Sequence, residues 1–504
     1  MRVRSLAALV VAVSLVGTTA AADVRGVVRL DQPGATVNPD VYGQFMEQLG
    51  SGITGGVWVG ESSEIANTRG FRNDVIDALK ALEVPVVRWP GGCYADIYHW
   101  RNGIGARSAR PVTLNRWWGG SPEDNAFGTH EFFDFAELIG AKTYLSLNMG
   151  SGTPAEAADW VEYITSDGDS TLAQERRANG RSRPWKIDYL GLGNEPWGCG
   201  GRMRASYYTD LMRQYAGFVA APGTVTVAAG PNAEDYEWTR TLMRDGRDSF
   251  DQLSLHYYTL PTGDWARKGA AVGFNTTEWR STFDQAYRIE EMIRAHDAIM
   301  DEYDPEGRIG LAIDEWGAWY DPTPGTTAGH LQQQNSLRDA LLAAVHFNIF
   351  HRHADRVRMT NVAQMVNVLQ ALILTDGPRM TLTPTYHAFM LYKPFRNATV
   401  VPVELEGTGG ARLDVAAARG GDGQLYIAVV NLNPDHPEGL ALELDGGALS
   451  RVTGQVLTAS RTDAHNAPEY PEAVTPNAFN GGRLAGRTLT AQVPAKALVV
   501  LTVR

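Results

Sequence analysis

Short apolar runs alternate along most of the chain with longer stretches in which apolar residues recur every three or four positions. Eight of the short runs have the length and composition of buried parallel strands, at 42–47, 84–89, 143–148, 189–193, 224–229, 253–258, 309–315 and 361–366. The stretches between them predict amphipathic helices, for example at 73–83, 154–165, 278–303 and 331–350. Repeated strand-then-helix units predict an α/β fold, a closed (β/α)8 TIM barrel. A doubly wound open sheet is the alternative, but no glycine fingerprint for a dinucleotide follows the first strand.

The pattern changes beyond about residue 393, where helical periodicity disappears. Apolar stretches at 425–431, 439–444 and 497–503 are separated by clusters of Gly, Pro and Asp, which is typical of strands and turns. They predict a C-terminal all-β sandwich, jelly-roll-like in its architecture. A further strand at 24–30 precedes the barrel and is expected to pair into this sandwich. The predicted domains are therefore the N-terminal strand segment at 23–40, a catalytic barrel at 41–392 and the sandwich at 393–504.

The first 22 residues have the pattern of a secretory signal peptide. Arg2 and Arg4 precede a short apolar stretch at 6–16, and small residues follow up to Ala22. No later stretch reaches the roughly 18 uninterrupted apolar residues that a membrane helix needs. The sequence thus predicts a protein without a membrane partner that is exported, either secreted or periplasmic.

Composition and charge narrow the class of ligand. The chain is 44% apolar and contains 13 Trp and 19 Tyr, enough for a large core. Its net charge is −12 and no block of Lys and Arg occurs, which argues against nucleic acid as a partner. Neutral ligands such as sugars fit this balance. The two cysteines, Cys93 and Cys199, both follow predicted strand ends. They either form a disulfide or remain two free, packed thiols.

Two glutamates stand at the ends of predicted strands. Glu195 follows the fourth strand and Glu315 ends the seventh, so both carboxylates are expected at the carboxyl edge of the barrel. Two carboxylates facing one cavity are what acid-assisted displacement at a sugar anomeric carbon requires. A partly desolvated glutamic acid has a raised pKa and protonates a leaving oxygen near neutral pH. The structural alternative for either residue is a helix cap or an ion pair with arginine.

Several segments carry a resemblance to one family when taken in order. They are Gly43-Gln-Phe-Met-Glu-Gln-Leu-Gly, Arg88-Trp-Pro-Gly-Gly-Cys, Gly191-Leu-Gly-Asn-Glu, Ser254-Leu-His-Tyr-Tyr, Asp314-Glu-Trp, Asn361-Val-Ala-Gln-Met-Val-Asn-Val-Leu and Leu382-Thr-Pro-Thr-Tyr-His. With them, the chain resembles the α-L-arabinofuranosidases of glycoside hydrolase family 51 from about residue 41 to residue 394. Each segment alone is a modest signal, whereas the ordered set is specific.

The resemblance implies a role for each matching position. Glu195 would be the acid/base and Glu315 the nucleophile of a retaining glycosidase. The residues implied to contact the sugar are Glu47, Cys93, Asn194, Tyr258, Trp319 and Gln364. Arg88 and His256 would position the carboxylates from behind, and Tyr257 replaces Tyr258 if the alignment slips by one residue. Cys93 stands where many relatives carry Asn.

The implied function is release of terminal α-L-arabinofuranosyl residues from arabinan or arabinoxylan, without a metal or organic cofactor. One alternative is a related retaining glycosidase, either a β-xylosidase or an endo-glucanase. The other is a non-catalytic carbohydrate-binding protein. The family is often oligomeric, but nothing in this chain reveals its own state, so a homo-oligomer stays open. His346, His351 and His353 do not share a helix face, which argues against a metal site. Trp117 and Trp118 either stack on sugars or cover the barrel.

Overall fold

The computed structural model describes residues 24–406, 413–446 and 450–504, so the predicted signal peptide lies outside the described residues. Eight parallel strands close into a barrel. In chain order they are β1 (Gly43–Phe45), β2 (Val86–Trp89), β3 (Lys142–Ser146), β4 (Tyr189–Leu192), β5 (Val225–Ala228), β6 (Gln252–Thr259), β7 (Gly310–Ala318) and β8 (Val357–Val362). Each strand pairs in parallel with its neighbours in sequence, and β8 closes the barrel against β1. The predicted TIM barrel is confirmed.

Apolar side chains from six different strands meet inside the barrel and fill it. They are Val86, Tyr144, Tyr189, Val227, Ala312 and Met359. Since a parallel strand is buried on both faces, most barrel strands read as continuous apolar runs. The eighth strand is the exception, because Arg358, Thr360 and Asn361 interrupt its apolar positions. The prediction of a strand at 361–366 is therefore wrong by several residues. Arg358 donates to the backbone carbonyls of Gly307 and Arg308, which explains a charged residue at this place.

Helices follow the strands and form the outer ring. They are α1 (Asn73–Leu82), α2 (Thr129–Ile139), α3 (Pro154–Thr165), α4 (Thr171–Ala178), α5 (Ala205–Phe218), α6 (Tyr236–Asp245), α7 (Thr276–Tyr303), α8 (Leu337–Arg352) and α9 (Pro384–Tyr392). The helix predicted at 154–165 has those limits, with the hydroxyl of Thr153 accepting from Glu156 N. The helix predicted at 331–350 begins later, at Leu337, because Ser336 and Asp339 form a capping box there. None of the described helices is long and apolar enough to cross a membrane.

The C-terminal part is a two-layer β-sandwich. One sheet contains the strands Thr399–Val401, Leu413–Arg419, Leu425–Asn431, Val452–Leu457, Asn477–Ala478 and Ala497–Val503. The other contains Val24–Arg29, Val403–Glu406, Glu438–Asp445, Gly482–Ala485 and Thr488–Val493. Val24–Arg29 pairs in parallel with Glu438–Asp445, so the N-terminal strand joins the sandwich as expected. Apolar side chains of both sheets form a core separate from that of the barrel. The exact domain limits remain a prediction.

Helix α8 lies between the two parts. It packs against β7 on one side and against the strands Leu413–Arg419 and Leu425–Asn431 on the other. Its residues are almost all buried. Arg352 at its end pairs with Asp414 of the sandwich, and the indole of Trp279 in α7 donates to the carbonyl of Leu432. These contacts fix the sandwich against the barrel wall behind β7. Three short antiparallel pairs lie in loops, at Asn67–Thr68 with Phe71–Arg72, Thr113–Asn115 with Ser121–Glu123, and Ile373–Asp376 with Arg379–Leu382.

Candidate active site

Glu195 and Glu315 meet at the carboxyl edge of the barrel. Glu195 lies three residues beyond the end of β4, and Glu315 lies within β7. A carboxylate oxygen of each and a ring nitrogen of His256 all lie within 4.8 Å of one another. The Glu195 side chain is 18% exposed and that of Glu315 is 6% exposed. Glu195 is thus the more accessible of two facing carboxylates.

His256 of β6 bridges the two glutamates. Its Nδ1 lies 2.8 Å from Glu195 Oε1 and 3.6 Å from Glu315 Oε2, and its Nε2 lies 3.1 Å from Asp314 Oδ1. Burial opposes a charge on the ring, but the surrounding carboxylates outweigh it and raise the pKa of His256 to about 10. The imidazole is therefore a cation at neutral pH.

Two consecutive acidic residues reach this place from one strand. Asp314 and Glu315 both contact Arg88, although neighbours in a regular strand point to opposite faces. The pairing of β7 with β8 is irregular between Ile313 and Trp316, and that of β6 with β7 is irregular between Ser254 and His256. These irregularities turn both carboxylates toward the barrel interior. Burial opposes ionisation of Asp314, but Arg88 and His256 lower its pKa overall.

Arg88 of β2 contacts Glu315, Asn194 and Asp314. Its Nη1 donates to Glu315 Oε1 at 2.8 Å, its Nη2 donates to Asn194 Oδ1 at 2.5 Å, and its Nε lies 3.5 Å from Asp314 Oδ2. The side chain is fully buried, and its guanidinium lies over the ring of Phe45 at 4.7 Å. Although burial disfavours the cation, the adjacent carboxylates raise the pKa of Arg88 further. A permanent cation therefore fixes the orientation of both Glu315 and Asn194.

Glu47 follows β1, and its buried carboxylate accepts hydrogen bonds at both oxygens. Its Oε1 accepts from the backbone N of Tyr94 and from the indole of Trp118, each at 2.8 Å. Its Oε2 accepts from Gln364 Nε2 at 3.0 Å. Burial is the largest influence on this carboxyl and raises its pKa to about 7. A Cβ on Gly92 would lie 2.8 Å from Glu47 Oε2, so only glycine lets the β2 loop pass this closely.

Tyr258 and Tyr257 point to different places. The Tyr258 hydroxyl donates to Glu315 Oε2 at 2.7 Å, whereas the Tyr257 hydroxyl donates to the backbone carbonyl of Gln285 and not to a carboxylate. The ring of Trp319 contacts that of Tyr258 edge-on, with centroids 4.9 Å apart. Trp319 is only partly buried. The geometry therefore places Tyr258 against Glu315 with Trp319 beside it, whereas Tyr257 lines the neighbouring cavity without a hydrogen bond to either glutamate.

Cys93 and Cys199 form a disulfide. This settles the two alternatives left by the sequence, and it changes what Cys93 offers. A disulfide sulfur has no S–H to donate, so Cys93 is not a thiol ligand for a sugar hydroxyl. Cys199 Sγ lies 3.7 Å from Glu195 Oε2 and receives the amide of Asn194 at 3.7 Å.

A cavity of about 380 Å³ opens beside Glu195. Its walls include three tryptophans, together with charged and polar side chains further out: Trp197, Trp265, Trp319, Glu234, Gln285 and Arg288. Burial is the main influence on Glu195 and raises its pKa, although the hydrogen bond from His256 opposes this shift. The carboxyl therefore holds its proton to a higher pH than an exposed glutamic acid does.

Sequence reasoning missed three residues of the site. Asp314 was not a candidate, because strict alternation along β7 places it opposite Glu315. Tyr144 donates to Asp314 Oδ2 at 2.7 Å from inside the barrel, where its pattern is that of an ordinary core residue. Trp118 was considered for stacking on sugars or for covering the barrel, whereas its indole N–H donates to Glu47. Trp117 beside it is exposed.

Comparisons with known proteins agree with this geometry. Two family models match, the "Alpha-L-arabinofuranosidase 1 domain" over residues 78–268 and the "Alpha-L-arabinofuranosidase C-terminal domain" over residues 314–497. An intracellular exo-α-L-arabinofuranosidase of Bacteroides ovatus is 44% identical, and the match covers 94% of each chain.

Two solved structures are similar over nearly the whole chain. The family 51 arabinofuranosidase of Xanthomonas axonopodis pv. citri has a TM-score of 0.94 and 49% identity, covering 96% of this chain and 100% of that one. The α-L-arabinofuranosidase of Thermotoga maritima, in an arabinose complex, has a TM-score of 0.84 and 28% identity, covering 95% and 99%.

The expected export of the protein is corrected by the same comparisons. The relative from Bacteroides ovatus, alike along almost all of both chains, is named as an intracellular enzyme. The N-terminal pattern rested on the charge and hydropathy of about 20 residues, which lie outside the described part of the chain. A secreted or periplasmic location is therefore a wrong prediction, and the signal peptide has no support.

Proposed function

The chain belongs to glycoside hydrolase family 51, the family of the α-L-arabinofuranosidases, and from this premise we propose that it is a retaining, exo-acting α-L-arabinofuranosidase. Its substrates carry terminal α-L-arabinofuranosyl residues. The exo mode agrees with the name of the Bacteroides ovatus relative, an exo-α-L-arabinofuranosidase.

One observation carries this proposal, the separation of the two carboxylates. Retaining glycosidases place their carboxyl groups about 5–5.5 Å apart, whereas inverting enzymes need roughly 6.5–9.5 Å to admit a water molecule. Oxygens of Glu195 and Glu315 lie within 4.8 Å of each other. This upper limit on the distance between two of their oxygens fits the closer spacing of retaining enzymes, and it therefore supports direct attack by one carboxylate.

The proposed first step divides the roles by environment. Glu315 accepts hydrogen bonds from Arg88 and Tyr258, and these two donors orient it for attack on the anomeric carbon. Glu195 has the raised pKa and donates its proton to the leaving oxygen. The bond from the anomeric carbon to that oxygen breaks while the bond to Glu315 forms. His256 stabilises both carboxylates as their charges change.

The second step reverses these roles. Glu195, now ionised, removes a proton from a water molecule, and the water oxygen attacks the anomeric carbon. The ester bond to Glu315 breaks and the free sugar leaves with the anomeric configuration of the substrate. Two inversions at one carbon account for the net retention.

The remaining residues divide the site into a sugar side and a leaving-group side. On the sugar side we place Glu47, Asn194 and Gln364 as hydrogen-bonding partners of the furanose hydroxyls, with Trp319 as an apolar wall. The leaving group would occupy the cavity beside the acid, since Glu195 lines that cavity and Glu315 does not. Its tryptophans suit the apolar face of a second sugar.

The polymer proposed as substrate is arabinan or arabinoxylan of plant cell walls. A panel of aryl α-L-arabinofuranoside, aryl β-xyloside and unbranched β-glucan tests this assignment. Turnover restricted to the arabinofuranoside and to arabinose release from branched polymer is the expected result. Preferential cleavage of the xyloside or the glucan would favour a related glycosidase. Polysaccharide binding without turnover of any of the three would favour a non-catalytic protein.

The acid/base role of Glu195 has its own test. With a dinitrophenyl arabinofuranoside, whose leaving group needs no proton, the Glu195→Ala variant should lose most turnover, and azide should restore it, because azide attacks the glycosyl-enzyme without needing a general base. The product expected is the arabinosyl azide with the configuration of the substrate. Absence of rescue, alongside a folded variant, would remove Glu195 from this role.

A further inference from the structure

The Cys93–Cys199 disulfide joins the loops after two strands that are not neighbours in the barrel. Cys93 follows β2 and Cys199 follows β4, so the bond passes over the end of β3. Neighbouring strands are tied by backbone hydrogen bonds, but the loops after the second and fourth strands share no such ladder. The two cysteines are 106 residues apart in sequence.

The Cys199 end of the disulfide lies in a turn built around Glu195. The carbonyl of Glu195 accepts from the backbone N of Gly198 and of Gly200, each at 2.9 Å. Cys199 stands between these two donors, and both sulfur atoms lie within 4.8 Å of a Glu195 carboxylate oxygen. Any displacement of Cys199 therefore moves the backbone and the carboxyl of Glu195.

The Cys93 end is fixed more firmly. Cys93 is flanked by Gly92, which passes close to Glu47, and by Tyr94, whose backbone N donates to Glu47 Oε1. Two residues further on, Asp96 Oδ1 accepts from the backbone N of Met149 and of Gly150 in the β3 loop. The segment 92–96 is thus held by the loops after β1 and β3.

Asp96 also restricts the position of the Glu195 turn by direct contact. A Cβ on Gly200 would lie 2.6 Å from Asp96 Oδ2 and 3.0 Å from the carbonyl of Glu195, so the turn packs against the 92–96 segment without space. The Asp96 side chain is buried. The Asp96 contact and the Cys93–Cys199 disulfide therefore both connect the Glu195 turn to the 92–96 segment.

We propose that the disulfide is a positioning element for catalysis, which holds the acid/base carboxyl of Glu195 at a fixed place relative to Glu47 and hence to the bound sugar. This rests on the proposed function of Glu195. General acid catalysis contributes about 10²- to 10⁴-fold to such reactions and depends on placement within about an ångström. Cleaving the disulfide releases the Glu195 turn while leaving Arg88, Tyr258 and Glu315 in place.

The experiment is a leaving-group series measured before and after reduction. The chain has two cysteines in all, so a phosphine reductant has no other disulfide to cleave. The rate constant kcat/KM is measured for arabinofuranosides of an acidic dinitrophenol, a simple phenol and an alkyl alcohol. A dinitrophenolate leaves without a proton, whereas an alkoxide needs one. After reduction we expect at least about a tenfold loss with the alkyl substrate and less than about a twofold loss with the dinitrophenyl substrate.

The double variant Cys93→Ser/Cys199→Ser is the matched control. It should show the same selective loss, and reductant should have no further effect on it. Reoxidation of the reduced wild-type enzyme should restore the alkyl rate, and circular dichroism should show the same fold in both states. If the double variant does not fold, the reversible reduction of the wild-type enzyme decides the matter.

Three outcomes would overturn the inference. They are an equal loss for every leaving group, no loss on reduction, and two free thiols in the fully active enzyme as purified. Failure of the proposed function looks different, since the oxidised enzyme would then hydrolyse none of the arabinofuranosides. An active dinitrophenyl reaction therefore keeps the two questions separate.

Discussion

Two regions of the molecule bury histidine side chains and give them opposite charge states. At the barrel mouth His256 lies among Glu195, Asp314 and Glu315, and its pKa is raised to about 10. In α8, between barrel and sandwich, burial without a nearby carboxylate lowers the pKa of His346 to about 3. His346 contacts the carbonyl of Ala286 and the ring of Trp316 instead.

The comparison separates burial from function. Both histidines are almost inaccessible to solvent, so burial alone does not mark a catalytic group. What distinguishes the barrel mouth is a set of charges that compensate one another, with Arg88 and His256 facing three carboxylates. Such groups are costly to bury and are retained where chemistry needs them. Substitutions in the two regions test whether the rate of hydrolysis depends only on the charged groups at the barrel mouth.

The largest expected effect follows from removing the proposed nucleophile, Glu315. Glu315→Gln keeps the shape and the hydrogen bond acceptor but cannot form the glycosyl-enzyme. We expect kcat/KM for an aryl arabinofuranoside to fall by roughly 10⁴-fold or more. Steady-state kinetics on the purified variant, freed of wild-type contamination, measures this. Activity within tenfold of the wild type would remove Glu315 from the mechanism.

The second effect compares the same substitution in the two regions. His256→Gln removes the cation between the carboxylates, and we expect a loss of about 100-fold in kcat/KM. Since His256 lowers the pKa of Glu195, its removal should also shift the basic limb of the pH profile to higher pH. His346→Gln, the matched control, should leave both the rate and the profile unchanged. Equal losses in the two variants would contradict the comparison.

A smaller effect is expected at Glu47. Trp118→Phe keeps an aromatic ring but removes the N–H that binds Glu47 Oε1. A hydrogen bond to a charged group is worth about 1.5–3 kcal/mol, and part of that loss should appear as an increase in KM of roughly tenfold. The quantity kcat should change less than KM. The exposed neighbour Trp117→Phe serves as control and should match the wild type in both constants with a small aryl substrate.

The smallest effect concerns the stability of the protein around α8, between the barrel and the sandwich. An unfolded histidine has a pKa near 6.5, whereas the folded His346 has one of about 3. Below pH 6.5 the unfolded chain binds a proton that the folded chain does not, so the free energy of unfolding falls as the pH drops. One such group contributes up to about 1.4 kcal/mol per pH unit between these values. His346→Gln should make denaturant midpoints less sensitive to acid, at a cost of about 1 kcal/mol at neutral pH. An unchanged acid dependence would show that His346 is already charged in the folded state.

The sequence allowed the barrel and the pair Glu195 and Glu315 to be predicted, because strand ends in a closed parallel barrel share one edge. It did not allow the contacts that depend on departures from regular geometry. Asp314 faces the site only because β7 is irregular, and Trp118 reaches Glu47 from a loop whose course no periodicity encodes. The last barrel strand was misplaced because polar residues interrupt its apolar pattern, and one of them, Arg358, donates to backbone carbonyls of Gly307 and Arg308 just before the neighbouring strand β7.

The disulfide illustrates the same limit. Two cysteines separated by 106 residues follow different strands, and their pairing depends on the curvature that brings the loops after β2 and β4 together. The pattern of the chain left both a bond and two free thiols open. The distance between the ends of β2 and β4 is known only from the closed barrel and is not contained in the sequence pattern.

The stereochemistry of the first product tests the central claim most directly. Proton NMR, recorded within the first minutes of hydrolysis of an aryl α-L-arabinofuranoside, resolves the α and β anomers of released arabinose before they equilibrate. Two carboxylates within 4.8 Å of each other predict that the α anomer appears first and then mutarotates. Initial appearance of the β anomer would mean a single displacement by water, and would contradict the roles given to Glu195 and Glu315.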